Sequence, residues 1–287
     1  MRFGITGAAG MLGQDLVAAV QAAGHDAVAL SRQALDITDA GAVADALGGE
    51  ARIDVVVNCA AWTDVDGAER SPDEAQAVNG VGAGNVARSA ATSSAWTIHI
   101  SSDYVFDGAK RSPYVESDEV GPLSSYGRSK LAGERAVAAA APTRHTIVRS
   151  SWLFGAGGPC FPATILRLAA ERPELKVVDD QVGCPTFTGH LATALVDVGA
   201  RTARPVGLLH LAGAGRCSWY EFAQEVVAGA EVTCEVQPCS TDEMPRPAAR
   251  PAYSVLGSER GDDAPVLPHW RQGLSEYMAA AWTVSAK

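Results

Sequence analysis

The octapeptide Thr6-Gly7-Ala8-Ala9-Gly10-Met11-Leu12-Gly13 constrains this chain more than any other segment. It follows a short apolar run, residues 2–6, and opens a helical pattern over residues 10–23, where Leu12, Leu16 and Val20 recur every four positions on one face. A strand, a glycine turn and a helix in that order let the backbone reverse tightly and meet an anion at the helix N-terminus. Free amides and the helix dipole favour negative charge there. The Gly-x-x-Gly-x-x-Gly spacing is a variant of the dinucleotide-binding fingerprint. A glycine turn kept only for packing is the plainer reading, but the strand–turn–helix context favours a pyrophosphate. Gly7, Gly10, Met11, Leu12 and Gly13 are the expected cofactor cradle.

Downstream, short apolar runs alternate with helical patterns. This predicts an α/β fold, a Rossmann-type doubly wound parallel sheet with helices on both faces. Further strands are expected at 27–30, 54–58, 96–102 and 145–150, and helices at 38–47, 72–92 and 124–141, with Thr38 the candidate N-cap of the first. After Trp152 the texture changes. A glycine loop at 155–159 precedes a helix at 161–170 and a strand at 175–178, while 191–198 and 208–211 return to the main sheet. From Gly213 onward proline and arginine become frequent, with late helices at 219–228 and 270–281. The expected division is a dinucleotide-binding domain of residues 1–152 and 189–212 and a smaller C-terminal substrate lobe of 153–188 and 213–287.

A chain of 287 residues, 47% hydrophobic and 20% charged, is long enough for such a domain and lobe. Its formal charge of −10 argues against nucleic acid as a partner. No uncharged stretch reaches the ~18 residues a membrane span needs. The first residues read as a strand, not as a signal peptide or lipidation motif, so the cytoplasm is the expected compartment. The six cysteines form no Cys-x-x-Cys and read as reduced thiols, and the six histidines show no ligand spacing. No metal site is expected.

The second strand ends in Leu30-Ser31-Arg32, where an NAD-specific site would place a carboxylate for the ribose diol. A small hydroxyl and a guanidinium suit a 2′-phosphate instead, so NADPH is the expected cofactor. A solvated surface arginine is the plain alternative for Arg32. Asp36 and Ile37, in Asp36-Ile37-Thr38-Asp39, are placed either to meet the adenine or to start a helix. Ala60 and Ala61 follow the third strand, where small residues would let a cofactor lie close to the sheet edge.

Ser101-Ser102-Asp103-Tyr104 closes the fourth strand, at the edge where such sheets bind ligands. Tyr126 and Lys130 lie four apart and share a helix face. An ammonium beside a phenol stabilises the phenolate, so Lys130 is expected to lower the pKa of Tyr126 and ready it as a proton donor. Ser102 alone would read as a strand-end cap. In conjunction with Tyr126 and Lys130 it reads as a donor to a carbonyl oxygen.

These residues resemble the extended short-chain dehydrogenase/reductase family, and within it the reductases of dTDP-4-keto sugars. The similarity is nearly full length. It includes the glycine loop, residues 35–39, 58–66 and 102–108, Tyr126-Gly127-Arg128-Ser129-Lys130, and residues 149–155, 179–186 and 250–256. The resemblance implies reduction of the 4-keto group of a dTDP-4-keto-6-deoxy-L-sugar, as in dTDP-4-dehydrorhamnose to dTDP-L-rhamnose. NADPH serves as reductant, and NADH is accepted by some relatives. Ser102 orients the ketone, Tyr126 protonates the alkoxide, and Lys130 binds the nicotinamide ribose. Asp103, Tyr104 and Trp152 match sugar-contacting positions, and Thr186 and Arg250 match segments near the sugar nucleotide. Some relatives are magnesium-bridged dimers. No matching set of carboxylates is found here, so the metal is not carried over, and a homodimer is left open. Two other readings stay open: an NAD-dependent nucleotide-sugar epimerase or dehydratase, and a non-catalytic regulatory subunit that binds nucleotide. Ser31-Arg32 speaks against the first, and the presence of Ser102, Tyr126 and Lys130 against the second.

Overall fold

The computed structural model describes residues 1–230 and 232–285, with side chains described as far as Ala280. Glu231, Ala286 and Lys287, which the expected C-terminal lobe includes, lie outside the described residues. In chain order, the first half contains β1 (Arg2–Thr6), α1 (Met11–Ala22), β2 (Asp26–Leu30), α2 (Ala40–Leu47), β3 (Val55–Asn58), α3 (Val65–Arg70), α4 (Pro72–Gln76), α5 (Ala83–Thr92), β4 (Trp96–Ser102), α6 (Ser125–Ala140) and β5 (His145–Ser150). Then follow β6 (Leu153–Phe154), α7 (Phe161–Glu171), β7 (Glu174–Val178), β8 (Val182–Gly183), β9 (Thr186–Phe187), α8 (Thr188–Ala200) and β10 (Gly207–His210). The chain ends with β11 (Cys217–Ser218), α9 (Trp219–Ala228), β12 (Glu235–Cys239) and α10 (Trp270–Ser285).

Six strands form one parallel sheet in the order β10-β5-β4-β3-β1-β2. Side chains alternate across it. Val55 and Val57 of β3 join Leu12, Leu16 and Val20 of α1 and Leu191, Leu195 and Val198 of α8 in one cluster. Val56 faces the other way, toward Val43 and Leu47 of α2 and Val86 of α5. A strand covered on both faces must be apolar throughout, which is why β3 reads Val-Val-Val. Full burial of a side chain such as Leu16 or Leu195 stabilises the fold by about 1.5–3 kcal/mol. A second cluster lies outside the sheet and gathers Phe154, Ile165, Leu175, Phe222, Trp270 and Leu274 from β6, α7, β7, α9 and α10.

Chain order reverses at β1, with β2 on one side and β3 on the other. A crevice opens at the carboxyl ends of strands at such a switch point, and it is where open α/β sheets bind ligands. The register sets Thr6 beside Asn58 and Ser102 beside Ser150 at that edge.

Two local readings are corrected. The N-cap of α2 is Asp39, whose carboxylate accepts from the amides of Gly41 (2.9 Å) and Ala42 (3.0 Å), while Thr38 donates to Asp36. The helical run 72–92 is interrupted by a wider turn over Ala77–Gly82. There Asn79 accepts from the amide of Trp62 (2.8 Å) and donates to its carbonyl (3.1 Å) and to Ser129 Oγ (2.9 Å). Such insertions recur near functional sites. This one ties the segment after β3 to the first turn of α6, because Ser129 in turn donates to the carbonyl of Tyr126 at 2.7 Å.

Candidate active site

A cavity of about 670 Å³ lies along the carboxyl edge of the sheet and is lined from the ends of β1, β2, β3, β4 and β5. At one side sits the glycine loop. Gly7 has φ +66°, and a Cβ there would come within 2.6 Å of the Ala60 backbone nitrogen. A Cβ on Gly13 would strike the backbone of Gly7 and Ala8. Both glycines are required by geometry, one for a left-handed turn and the other for close helix–strand approach. α1 has Gly10 as its N-cap, with no side chain capping the first amides. An uncapped helix start facing a cavity is a ready anion site, so this loop fits a dinucleotide pyrophosphate.

Gly7, Gly10, Met11, Leu12, Gly13, Arg32, Asp36, Ile37, Ala60 and Ala61 all line the cavity. Among the described residues no carboxylate forms an ion pair with Arg32, and Ser31 is not part of the lining. Asp36 accepts from the Thr38 amide at 2.9 Å and from its hydroxyl at 2.8 Å, and the backbone bond first of all holds its carboxyl below the usual range. Both roles read from Asp36-Ile37-Thr38-Asp39 coexist, the local turn and the place on the cavity wall.

Ser102, Asp103, Tyr104, Tyr126, Lys130 and Trp152 also line the cavity. Ser124 caps α6 by accepting from the Gly127 amide at 3.1 Å, which fixes the turn that carries Tyr126. The Tyr126 phenol lies beside the Ser102 hydroxyl, and its ring meets Tyr104 edge to face at 5.8 Å. Ser102 Oγ donates to Asp103 Oδ1 at 3.0 Å and accepts from the Tyr104 amide at 3.2 Å. Asp103 Oδ2 and Ser150 Oγ are buried without a hydrogen-bond partner among the described residues. Orphaned polar atoms on a cavity wall mark where a polar ligand can bind.

Lys130 is buried, and its Nζ donates to the Ile100 carbonyl at 2.6 Å. Burial lowers its pKa to about 8, against the opposing pull of Glu134. Burial likewise raises Tyr126 to about 12, with the Ser102 hydroxyl working the other way. The expectation that Lys130 depresses the phenol is therefore corrected: removal from water dominates at Tyr126, Lys130 is not among the groups that shift it, and Tyr126 keeps its proton across the neutral range. Burial also lifts Asp103 to about 7, in spite of the Ser254 and Ser102 hydroxyls beside it.

Behind the cavity, Glu134 of α6 accepts from Ser101 Oγ (2.6 Å), Arg149 Nε (2.8 Å) and a terminal nitrogen of Arg149 (2.7 Å). The pair is almost wholly buried. It pins α6 to β4 and β5 at the residue before Ser102, and loss of one partner from such a buried pair costs about 3–5 kcal/mol.

Two expected substrate positions lie off the cavity. The Thr186 hydroxyl is fully buried, donates to the Cys184 carbonyl (3.2 Å) and accepts from the Gly213 amide (3.0 Å). Arg250 is held by Asp66 through two bonds, of 2.9 and 3.0 Å, and donates to the Ala248 carbonyl at 2.7 Å. Conversely, Val65, Ser150, Gly157, Pro159 and Trp219 line the cavity beyond the site residues expected from the sequence. For Trp219 a signal exists in Ser218-Trp219-Tyr220-Glu221, a capping-box pattern that marks a helix start. The box is formed, with Trp219 at the first helical position.

Trp152 has φ +47°, a left-handed conformation that costs a non-glycine residue about 1–3 kcal/mol and recurs at ligand sites. It is held by the bond from the Thr186 amide to its carbonyl (3.2 Å) and by Ser151 Oγ donating to the Cys184 carbonyl (2.6 Å).

Comparison with known proteins places this geometry in a family. The model of the RmlD substrate binding domain matches residues 1–282. A dTDP-4-dehydrorhamnose reductase of Mycolicibacterium smegmatis is 46% identical over 284 residues, which cover 97% of this chain and 85% of that protein. The crystal structure of a dTDP-4-dehydrorhamnose reductase from Clostridium acetobutylicum superposes with a TM-score of 0.94 at 39% identity, covering 98% of this chain and all of that one. That of the Bacillus anthracis dTDP-4-dehydrorhamnose reductase in complex with NADP gives 0.92 at 36% identity, covering 97% and 99%. The sequence, the six-stranded fold and the cavity together establish that the chain belongs to the RmlD substrate-binding-domain family.

Proposed function

We propose that this chain is an NADPH-dependent reductase of a dTDP-4-keto-6-deoxy-L-sugar, acting in the cytoplasm to convert dTDP-4-dehydrorhamnose to dTDP-L-rhamnose. The observation that carries the reading is that one cavity joins an uncapped glycine-loop helix to Ser102, Tyr126 and Lys130. The relatives' names and the NADP held by the Bacillus anthracis protein support the same reading.

Gly7, Gly10 and Gly13 admit the pyrophosphate, Met11 and Leu12 add the first helical amides, and Arg32 faces the 2′-phosphate. Asp36, Ile37, Ala60 and Ala61 flank the adenine and the sheet edge, with Ser31 behind them at the end of β2. The bound nicotinamide supplies the hydride. Ser102 donates to the ketone oxygen and holds it beside Tyr126. As charge gathers on that oxygen, the phenol delivers its proton, a contribution of about 10²–10⁴ in rate for a positioned acid. Lys130 fixes the nicotinamide ribose. Asp103, Tyr104 and Trp152 hold the sugar. Thr186 supports Trp152 from behind, and Arg250 meets the diphosphate by exchanging Asp66 for phosphate oxygens.

The test is NADPH oxidation at 340 nm with a panel of dTDP-4-keto sugars, with the stereochemistry of the product read by NMR. Stoichiometric oxidation is expected with the 6-deoxy-L-sugar. An epimerase would interconvert sugars with no net change in absorbance, and a regulatory subunit would leave both unchanged. Either result would displace the reductase reading.

A further inference from the structure

The indoles of Trp152 and Trp219 stack face to face, with ring centroids 3.4 Å apart and planes within 5° of parallel. Aromatic pairs left to themselves prefer offset or edge-on arrangements. A near-complete overlap is therefore imposed by the chain, and the structure shows what imposes it.

On one side Trp152 is confined by Gly183, where a Cβ would run into the indole. Gly183 lies in β8, which pairs antiparallel with β11 through Cys217 opposite Gly183 and Ser218 opposite Val182. Ser218 then caps α9. Its hydroxyl accepts from the Glu221 amide at 3.1 Å and donates to Asp179 at 2.5 Å, while Glu221 accepts from the Ser218 amide at 2.8 Å. This double fastening holds Trp219 at the start of α9. Phe161 backs Trp219 at 4.6 Å, and Phe222 stacks on Phe161 at 5.4 Å. A continuous aromatic column thus runs from the second hydrophobic core to the cavity, and both tryptophans that end it line the cavity.

We infer that Trp219 is a positioning residue for the sugar nucleotide: it holds the Trp152 indole in place, so that the C-terminal aromatic core fixes the ring that meets the sugar at the cavity wall. The inference rests on the proposed function, in which Trp152 contacts the sugar. Trp219 covers one face of the Trp152 indole and Gly183 lies against its Nε1, Cε2 and Cζ2 atoms, so the ring is clamped and what it presents to the cavity is fixed in direction. A ring held in that way gives the sugar a contact of fixed position, which orients its carbonyl carbon. Removal of Trp219 would leave the Trp152 indole free to turn on its held backbone and would loosen the sugar without touching the glycine loop.

The test uses the full chain as Trp219→Ala, Trp219→Phe, Trp152→Ala and the Trp152→Ala/Trp219→Ala double variant. Steady-state kinetics are run with the dTDP-4-keto sugar and NADPH, and NADPH and dTDP affinities are measured by titration calorimetry. Trp219→Ala is expected to raise the KM for the sugar nucleotide about tenfold, the scale of one lost ring contact, with the dissociation constant for NADPH within about twofold of wild type. Trp219→Phe keeps a ring in the stack and is expected to recover most of the loss. The double variant is expected to be no worse than Trp152→Ala alone, because residues that act through one another are not additive. Additive losses, a parallel fall in NADPH affinity, or an unchanged KM in Trp219→Ala would overturn the inference while wild-type turnover leaves the proposed function standing. A wild-type chain that bound NADPH and dTDP but reduced no keto sugar would overturn the proposed function, and the dTDP titrations of the four variants would then decide the role of Trp219.

Discussion

Lys130 Nζ donates to the carbonyl of Ile100 at 2.6 Å, two residues before Ser102 on the same strand. The ammonium is thus fixed to the backbone that carries Ser102, and its position relative to Tyr126 follows from one turn of α6. Because burial lowers its pKa to about 8, the free protein loses this charge within an accessible range. kcat/KM, which reports free-enzyme ionisations, is expected to fall as pH rises through about 8. Lys130→Met is expected to lose most turnover and, with it, the alkaline limb. A limb that persists in the residual activity of Lys130→Met would assign that ionisation to another group.

Tyr126→Phe removes the phenolic proton and keeps the ring that meets Tyr104 edge to face. kcat is expected to fall by about 10²–10⁴, the range for a positioned general acid. Calorimetric NADPH binding should stay within about twofold, since ring packing is retained. Wild-type turnover in Tyr126→Phe would remove the proton-donor role.

Arg32 lines the cavity with no ion-pair partner among the described residues, and Ser31 beside it carries no charge. NADPH is expected to bind more tightly than NADH. Arg32→Ala should lose NADPH affinity by about tenfold or more, the scale of a charge-assisted contact, and lose NADH affinity by much less. Equal losses for both cofactors, read by titration, would take Arg32 away from the 2′-phosphate.

Asp103 offers a test through stability. Its pKa is raised by burial to about 7, so between the unfolded value near 3.8 and about 7 the folded chain binds more protons than the unfolded one. Stability from this group is full below that window and is lost as pH rises through about 7. Asp103→Asn cannot ionise. Its stability is expected to gain on that of wild type between pH 4 and pH 8 by up to about 4 kcal/mol, read as melting temperature, with the constant cost of the amide cancelling in the difference. A constant difference across that range would mean that the carboxyl titrates as an ordinary surface group.

Those parts of the molecule governed by local pattern were legible in the sequence. Alternation of β3 between two helix layers requires Val-Val-Val, and the glycine loop requires its glycines, so both strand and cradle follow from residue type. Asp39 instead of Thr38 as N-cap turns on which of two adjacent oxygens reaches the amides, a choice of one residue that pattern does not decide. The wider turn at Ala77–Gly82 was hidden because its cause is tertiary: Asn79 is drawn to Trp62 and Ser129, far away in sequence. The pKa of Tyr126 has a tertiary cause too. Spacing reveals that Lys130 is near, whereas desolvation depends on everything packed around the pair. Trp219 belongs to α9, expected from its pattern over the same residues, but its arrival at Trp152 depends on the pairing of β8 with β11, strands of two residues each.

Arg250 carries the most exposed of the expectations, because its guanidinium faces Asp66 and not the cavity. Asp66 also lies 3.7 Å from Arg246, and the Arg250 hydrogen bond first of all holds its carboxyl below the usual range. Two cations thus share one carboxylate in the first turn of α3, next to Val65 on the cavity wall. A diphosphate carries more charge than a carboxylate and offers the same paired oxygens, so it can replace Asp66 on Arg250 with bidentate geometry. If it does, the two partners respond with opposite sign. Arg250→Ala should raise the KM for the sugar nucleotide by about tenfold, the loss expected for one charged contact, with the KM for NADPH nearly unchanged. Asp66→Asn removes the competitor and should tighten dTDP binding, by a few-fold in titration at low salt and less at high salt, where screening weakens the competing pair. A strut that only braces the proline-rich segment predicts something else: both variants would lower the melting temperature together and weaken dTDP in parallel. Loss of dTDP affinity in Asp66→Asn would therefore assign Arg250 to the framework and leave the diphosphate to other donors.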